Sequence, residues 1–189
     1  MRAVIVAWKD QDRTDLDAVL VPLLARALSR AVDETPQWAH RFDEVGIAVA
    51  VPIPSRTAGT RARGRIPVAE LARMVLPGRA RGLGIRTQRA LRYGRPVRDQ
   101  AGLNHQDRAR NVAGAMQVSP RSRAALRGVP VILIDDIVTT GSTLTEATRA
   151  VLDAGAGPVI AVALAATQRK ESALPDRDQI GIPPSSWPD

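Results

Sequence analysis

The sequence predicts an α/β domain, with a mainly parallel sheet flanked by helices. Three observations carry this. Val129–Ile134 is an apolar, β-branched run, Thr143–Leu152 has helical periodicity, and Val159–Ala166 is a second apolar run. Strand, helix, strand in that order implies a parallel βαβ unit with a right-handed crossover. Upstream, Val45–Ile53 is again rich in β-branched residues, too short for a buried helix, and closed by Pro52 and Pro54, so it reads as another buried strand. A chain of 189 residues with 44% apolar residues can bury one core without disulfide or metal support.

The remaining elements follow in order. Residues 1–40 form a helical N-terminal segment, opened by a short strand at Ala3–Trp8. Leu16, Val19, Leu20, Leu23, Leu24, Ala27 and Leu28 fall at helical spacing, with Asp15 or Thr14 as the cap. Pro67 in a first turn, followed by Leu71, Ala72, Val75 and Leu76, marks a helix that Pro77-Gly78 ends. Ile85–Tyr93 alternates weakly as a strand. Gly94–Asp107 has no periodicity and carries Gly94, Pro96, Gly102 and Asn104, which predicts a long functional loop, a lid reaching to residue 110. Ala115–Val118 is a short strand, Pro120–Gly128 a basic turn or short helix, and Gly155 and Gly157 end the helix after residue 143. Residues 1–169 are expected to be one domain. Residues 170–189, with four prolines, are expected to be a disordered tail.

Composition excludes several chemistries. The chain has no cysteine, so disulfides, thiolate catalysis and Cys-based zinc sites are out. Its apolar start is too short for a secretory signal and runs directly into Lys9, Asp10, Asp12 and Arg13, and no apolar run reaches membrane-spanning length. A cytoplasmic location is expected. The net charge of +8 is uneven: Arg56–Arg127 holds 17 arginines against Glu70, Asp99 and Asp107, a local balance of +14, and the rest of the chain is at −6. So basic a segment should face phosphates, a nucleic acid, or both. Only Lys9 and Lys170 are lysines, a bias toward arginine that GC-rich codon usage also produces.

The chemistry-bearing stretch is Val131-Ile-Leu-Ile-Asp-Asp-Ile-Val-Thr-Thr-Gly-Ser-Thr143. A strand buried on both faces delivers its carboxyl end to the crevice where open α/β sheets bind ligands, so Asp135 and Asp136 emerge there. Two carboxylates can accept hydrogen bonds from vicinal hydroxyls. Thr139, Thr140, Gly141, Ser142 and Thr143 can turn backbone N–H groups and hydroxyls onto a phosphate, helped by the dipole of the helix they open. Gly141 permits close backbone approach. Together they match a ribose bearing a 5′-phosphate. The alternative is that the aspartates merely close a strand and Ser142 merely caps a helix. No Gly-Lys-Thr/Ser follows a glycine-rich loop, no Gly-x-Gly-x-x-Gly opens a helix, and Gly82-Leu-Gly84 lacks the third glycine.

These thirteen positions resemble the phosphoribosyl pyrophosphate signature of the type I phosphoribosyltransferases. The resemblance implies that fold, with a small hood and a flexible loop, and gives Asp135 and Asp136 the ribose hydroxyls and the turn the 5′-phosphate. It also implies magnesium, held largely by the ligand's own pyrophosphate and hydroxyls. The pyrophosphate loop would follow the earlier strand at Pro54, Ser55 and Arg56, with Arg108 and Arg110 as lid-borne partners of the leaving group. His105 in the same stretch is a candidate acid or base, although a lone histidine usually is neither. Arg86, Arg89, Arg92, Arg95 and Arg98 recur every third residue, a spacing that does not hold one face of a strand.

Further blocks are similar to the ComF family of competence-protein-F-like phosphoribosyltransferases. They are Val51-Pro-Ile-Pro54 with Arg61, Arg63, Gly64 and Ala69-Glu-Leu-Ala72; Gln100-Ala-Gly-Leu103 with Arg108, Arg110-Asn-Val112, Gly114-Ala-Met116 and Val118; and Trp8-Lys9-Asp10 with Asp15-Leu16. The match spans most of Trp8–Arg169. It departs at Arg63-Gly64-Arg65-Ile66-Pro67, where the family commonly reads Arg-Gly-Phe-Asn-Gln, and it lacks the family's frequent four-cysteine zinc module. The resemblance implies binding of phosphoribosyl pyrophosphate with magnesium and a role in DNA uptake or use. Alternatives are a non-catalytic competence factor associated with single-stranded DNA, which scarce aromatic residues disfavour, and a nucleobase salvage transferase. A ligand-sensing regulator is disfavoured because no helix-turn-helix pattern precedes the domain.

Overall fold

Four apolar segments pair in parallel to make the central sheet of the computed structural model, which describes residues 1–55, 66–76, 84–97 and 105–167, the side chains of 105, 106, 108 and 109 excepted. They are β1 (Ile47–Pro52), β2 (Gly84–Thr87), β5 (Val131–Val138) and β6 (Val159–Ala166), in the order β2-β1-β5-β6. Registers are set by Ile47 opposite Gly84, Val49 opposite Val131 and Val131 opposite Val159. A separate antiparallel ribbon joins β3 (Leu91–Tyr93) to β4 (Met116–Val118), with Leu91 opposite Val118.

The strand period of two divides the core. Ala48, Ala50, Ile132, Ile134, Ile160 and Val162 face one way, onto Ile5, Trp8, Leu20, Leu24 and Trp38. These come from α1 (Arg2–Asp10), α2 (Asp17–Asp33) and α3 (Pro36–Val45), and α4 (Pro67–Val75) adds Val68, Leu71 and Ala72. Val49, Val51, Val131 and Leu133 face the other way, onto Leu91, Met116 and Val118 of the ribbon, Leu126 of α6 (Pro120–Leu126), and Ala147, Ala150 and Val151 of α7 (Ser142–Asp153). A short helix α5 (His105–Val112) packs beside α7.

Four sequence expectations need correction. Ala3–Trp8 is not a strand but most of α1, because Ile5 and Trp8, three residues apart, both bury completely against the sheet face. Neither Thr14 nor Asp15 caps α2. Both lie in a 3-10 turn (Thr14–Leu16), the Asp15 carboxylate accepts from Arg13, and Asp17 accepts from the Trp8 indole at 2.7 Å. Ile85–Tyr93 is two strands in two sheets, separated at Gln88–Ala90, with Gln88 held by the Ser122 hydroxyl. The lid expected at residues 94–110 ends in α5, whose first turn carries Asp107 and last turn Arg110, the signs that suit the helix dipole. Arg108 and Arg110 are therefore helical. The proposed helix stop at Pro77-Gly78, Gly82-Leu83, Arg98 to Leu103 and the tail lie outside the described residues. No helix among the described residues is long and apolar enough to cross a membrane.

Candidate functional site

β5 continues through both aspartates to Val138, four residues beyond the apolar run, and pairs there with β6 through Asp135–Ala163 and Ile137–Ala165. Adjacent residues of a strand point to opposite faces, so the two carboxylates diverge. Asp136 follows Ile132 and Ile134 onto the α1 face, where Lys9 Nζ donates to its Oδ2 and the Ile137 N–H to its Oδ1 at 3.0 Å. Asp135 follows Val131 and Leu133, and its Oδ1 accepts from the Asp136 N–H at 2.9 Å. Both still line one cavity of about 180 Å³ at the carboxyl edge of the sheet, with Lys9, Pro54, Ser55, Val68, Tyr93, Thr139 and Thr143.

The acids differ electrically. Burial, then the neighbouring Asp136 charge, raises the Asp135 carboxyl to about 7. Burial also works against the Asp136 carboxylate, but the Lys9 ammonium outweighs it and holds this group below its ordinary value. An acid raised from about 4 to about 7 contributes stability that is full below pH 4 and lost as pH rises through 7. Asp136 acts oppositely, contributing above its unfolded value and losing that in stronger acid. Asp135→Asn removes the cost of ionising a buried group, so its melting temperature relative to the parent should rise by several degrees between about pH 5 and about pH 8 without ligand. An unchanged difference across that range would contradict the assignment.

Beyond β5 the chain turns at Thr139–Gly141, and Gly141, at φ +77°, is the N-cap of α7. That left-handed conformation is why glycine stands here. The N-cap Gly141 has no side chain to cap α7, Ser142 stands inside the helix as its first residue and is not the cap, and its N–H donates to the Thr140 hydroxyl at 3.4 Å. Thr140 and Ser142 share a hydroxyl hydrogen bond of 2.9 Å, and the Thr167 hydroxyl donates to the Thr139 carbonyl at 3.1 Å, tying the turn to the end of β6. Thr139, Thr140, Gly141 and Thr143 wall a small concavity with Asp135. The arrangement fits an anion whose oxygens take backbone N–H and hydroxyl donors at a helix N-terminus.

Glu146 anchors α7 to the ribbon. Its Oε1 accepts from the Met116 N–H at 2.9 Å, and Arg149 donates both to Glu146 and, at 3.0 Å, to the Met116 carbonyl. Burial pushes the Glu146 carboxyl up, but Arg149 and the Met116 and Gly114 N–H groups hold it down at about 2. It stays ionised and so keeps α7 bonded to the ribbon.

Of the expected site residues, the structure gathers Asp135, Asp136, Thr139, Thr143, Pro54 and Ser55 around one cavity, with Thr140 and Gly141 in the adjoining concavity. Ser142 turns to the other side, walling a separate space with Thr145 and Arg149. Arg110 is exposed on α5 and forms no part of the cavity wall. Arg56, Arg61, Arg63, Gly64 and Arg65 lie outside the described residues, as do the side chains of His105 and Arg108. Two polar wall residues are not among the expected site residues. Lys9 and Tyr93 stand far from the aspartates in sequence, and the available signals were that Tyr93 is the sole tyrosine and Lys9 one of two lysines.

A parallel sheet flanked by helices, with an acid pair at a strand's carboxyl edge and an uncapped Thr/Gly/Ser turn next to it, is the type I phosphoribosyltransferase α/β fold. The family model for the phosphoribosyl transferase domain matches residues 66–182, and the chain belongs to that family. A phosphoribosyl-type substrate and a phosphoribosyltransferase-like function follow from that membership. No curated protein matches the chain.

Proposed function

We propose that the cavity at the end of β5 binds phosphoribosyl pyrophosphate with magnesium, and that the protein is a ComF-like phosphoribosyltransferase acting in DNA uptake or use. The observation that carries the ligand is the meeting of the acid pair, Thr139 and Thr143 of the turn, and Pro54-Ser55 around one cavity. The turn holds the 5′-phosphate. Asp136, kept ionised by Lys9, and Asp135 accept from the ribose hydroxyls, and Pro54 and Ser55 lie where the pyrophosphate leaves. The described residues contain no cluster of three metal-ligating side chains. Two carboxylates with the ligand's own oxygens match how magnesium is commonly bound beside phosphates. Bound there, magnesium would offset charge on the departing pyrophosphate.

In the transfer, an acceptor attacks the anomeric carbon as pyrophosphate departs, and the protein's work is positioning and electrostatic support of an oxocarbenium-like transition state. Asp136, ionised, favours the developing positive charge, as does Asp135 once it has lost its proton. The acceptor lies outside the motif. A nucleobase would make the protein a salvage enzyme. A second reading, a single-stranded-DNA-associated factor, is favoured by Arg86, Arg89, Arg92 and Arg95, which are all exposed.

Phosphoribosyl pyrophosphate with magnesium, at about 100 times its Kd, should stabilise the fold by about 2.7 kcal/mol, or about 5–10 °C in melting temperature for a chain of this size. Absence of any shift would refute the ligand assignment. A screen of amine, purine and pyrimidine acceptors for pyrophosphate release, with one arm containing soluble single-stranded DNA, then separates transferase from binder.

A further inference from the structure

Lys9 lies outside the matched family range and enters the cavity from α1, across the sheet face from the turn. It is the one basic side chain among the described residues of the cavity wall. Its side chain remains 28% exposed, against 11% for the Asp136 side chain it binds, so the ammonium sits at the boundary between carboxylate and open cavity. Pro54 and Ser55 share that wall. A ligand with a phosphate at each end brings several negative charges beside two carboxylates. Such a site needs a cation whose bond can be exchanged.

We propose that Lys9 is a ligand-binding residue that exchanges partners: it neutralises Asp136 in the empty site and donates to the pyrophosphate oxygens when a ribose hydroxyl takes its place on the carboxylate. This rests on the phosphoribosyl pyrophosphate reading. The exchange keeps the ammonium paired in both states, so neither state leaves a desolvated charge uncompensated. A long, flexible stem with three rotatable donors suits a handover that a planar guanidinium does not. That accounts for a lysine here in a chain with 27 basic residues, of which two are lysines.

The test is calorimetric titration of the parent, Lys9→Met and Lys9→Arg with three ligands: phosphoribosyl pyrophosphate with magnesium, magnesium pyrophosphate, and ribose 5-phosphate. Circular dichroism melts confirm that each variant is folded, and Lys9→Arg keeps the charge should Lys9→Met fold poorly. Lys9→Met should weaken both pyrophosphate-bearing ligands about 10- to 100-fold, the scale of a charge-assisted hydrogen bond, and ribose 5-phosphate by less than about threefold. Lys9→Arg should fall between. Equal losses for all three ligands, or none, would overturn the role of Lys9 while leaving the cavity assignment intact. A parent that binds none of them would overturn both.

Discussion

Asp135→Asn combined with Asp136→Asn should abolish the thermal shift produced by phosphoribosyl pyrophosphate with magnesium. Hydrogen bonds to a charged acceptor contribute about 1.5–3 kcal/mol each, so losing both charges should weaken binding by about 100- to 10,000-fold. At ligand concentrations that saturate the parent, the remaining stabilisation falls close to zero. The single variants should separate, because the carboxylates occupy unlike surroundings. Asp135→Asn relieves a buried charge raised to about 7 and should not lower the melting temperature of the empty protein above that pH. Asp136→Asn leaves Lys9 without its carboxylate and should lower it modestly, since the ammonium is part-exposed and can be hydrated. Differential scanning fluorimetry with and without ligand reads both effects. A double variant that keeps the ligand shift would move the ribose site away from β5.

Trp38→Ala should cost about 3–5 kcal/mol, which for a chain of this length is about 6–20 °C in melting temperature. Trp38 is 2% exposed, stacks on Phe42 at a centroid distance of 5.4 Å, and donates from Nε1 to the carbonyl of Val131 at 3.0 Å. It therefore fills the core and holds the first residue of the strand that ends in the acid pair. Replacement leaves a cavity and removes the indole donor. Val131 is at the amino end of β5, away from the cavity, so the ligand-induced shift should survive in the folded variant. Loss of that shift in a protein still folded by circular dichroism would mean that Trp38 reaches the site. Trp38→Phe should retain part of the packing and lose the hydrogen bond, placing its melting temperature between the two.

Much of the scaffold was legible because its signals are local. Gly46 and Pro52 bound β1, Pro67 opens α4 and Gly141 precedes α7, while apolar runs mark β1, the first half of β5 and β6. A short apolar run such as Ala3–Trp8 fits either a strand or a buried helix, and only the sheet face under Ile5 and Trp8 decides between them. Ile85–Tyr93 reads locally as one strand for a related reason. At its break the Gln88 N–H donates to Ala50, the Gln88 side chain to Ser122 and the Ser119 N–H to Ala90, partners 29 to 38 residues away that no local pattern records.

The sequence by itself determined that this chain carries an acid pair followed by a Thr/Gly/Ser turn at the carboxyl end of a buried strand. Strand, turn and helix are contiguous there, so spacing along the chain is spacing in space. Only the tertiary structure decided that the two acids diverge to opposite faces, that Asp136 meets Lys9 across 127 residues while Asp135 rises to about 7, and that Pro54 and Ser55 complete the wall. Those facts depend on which helix covers which face of the sheet and how far β5 runs. Long-range packing sets both.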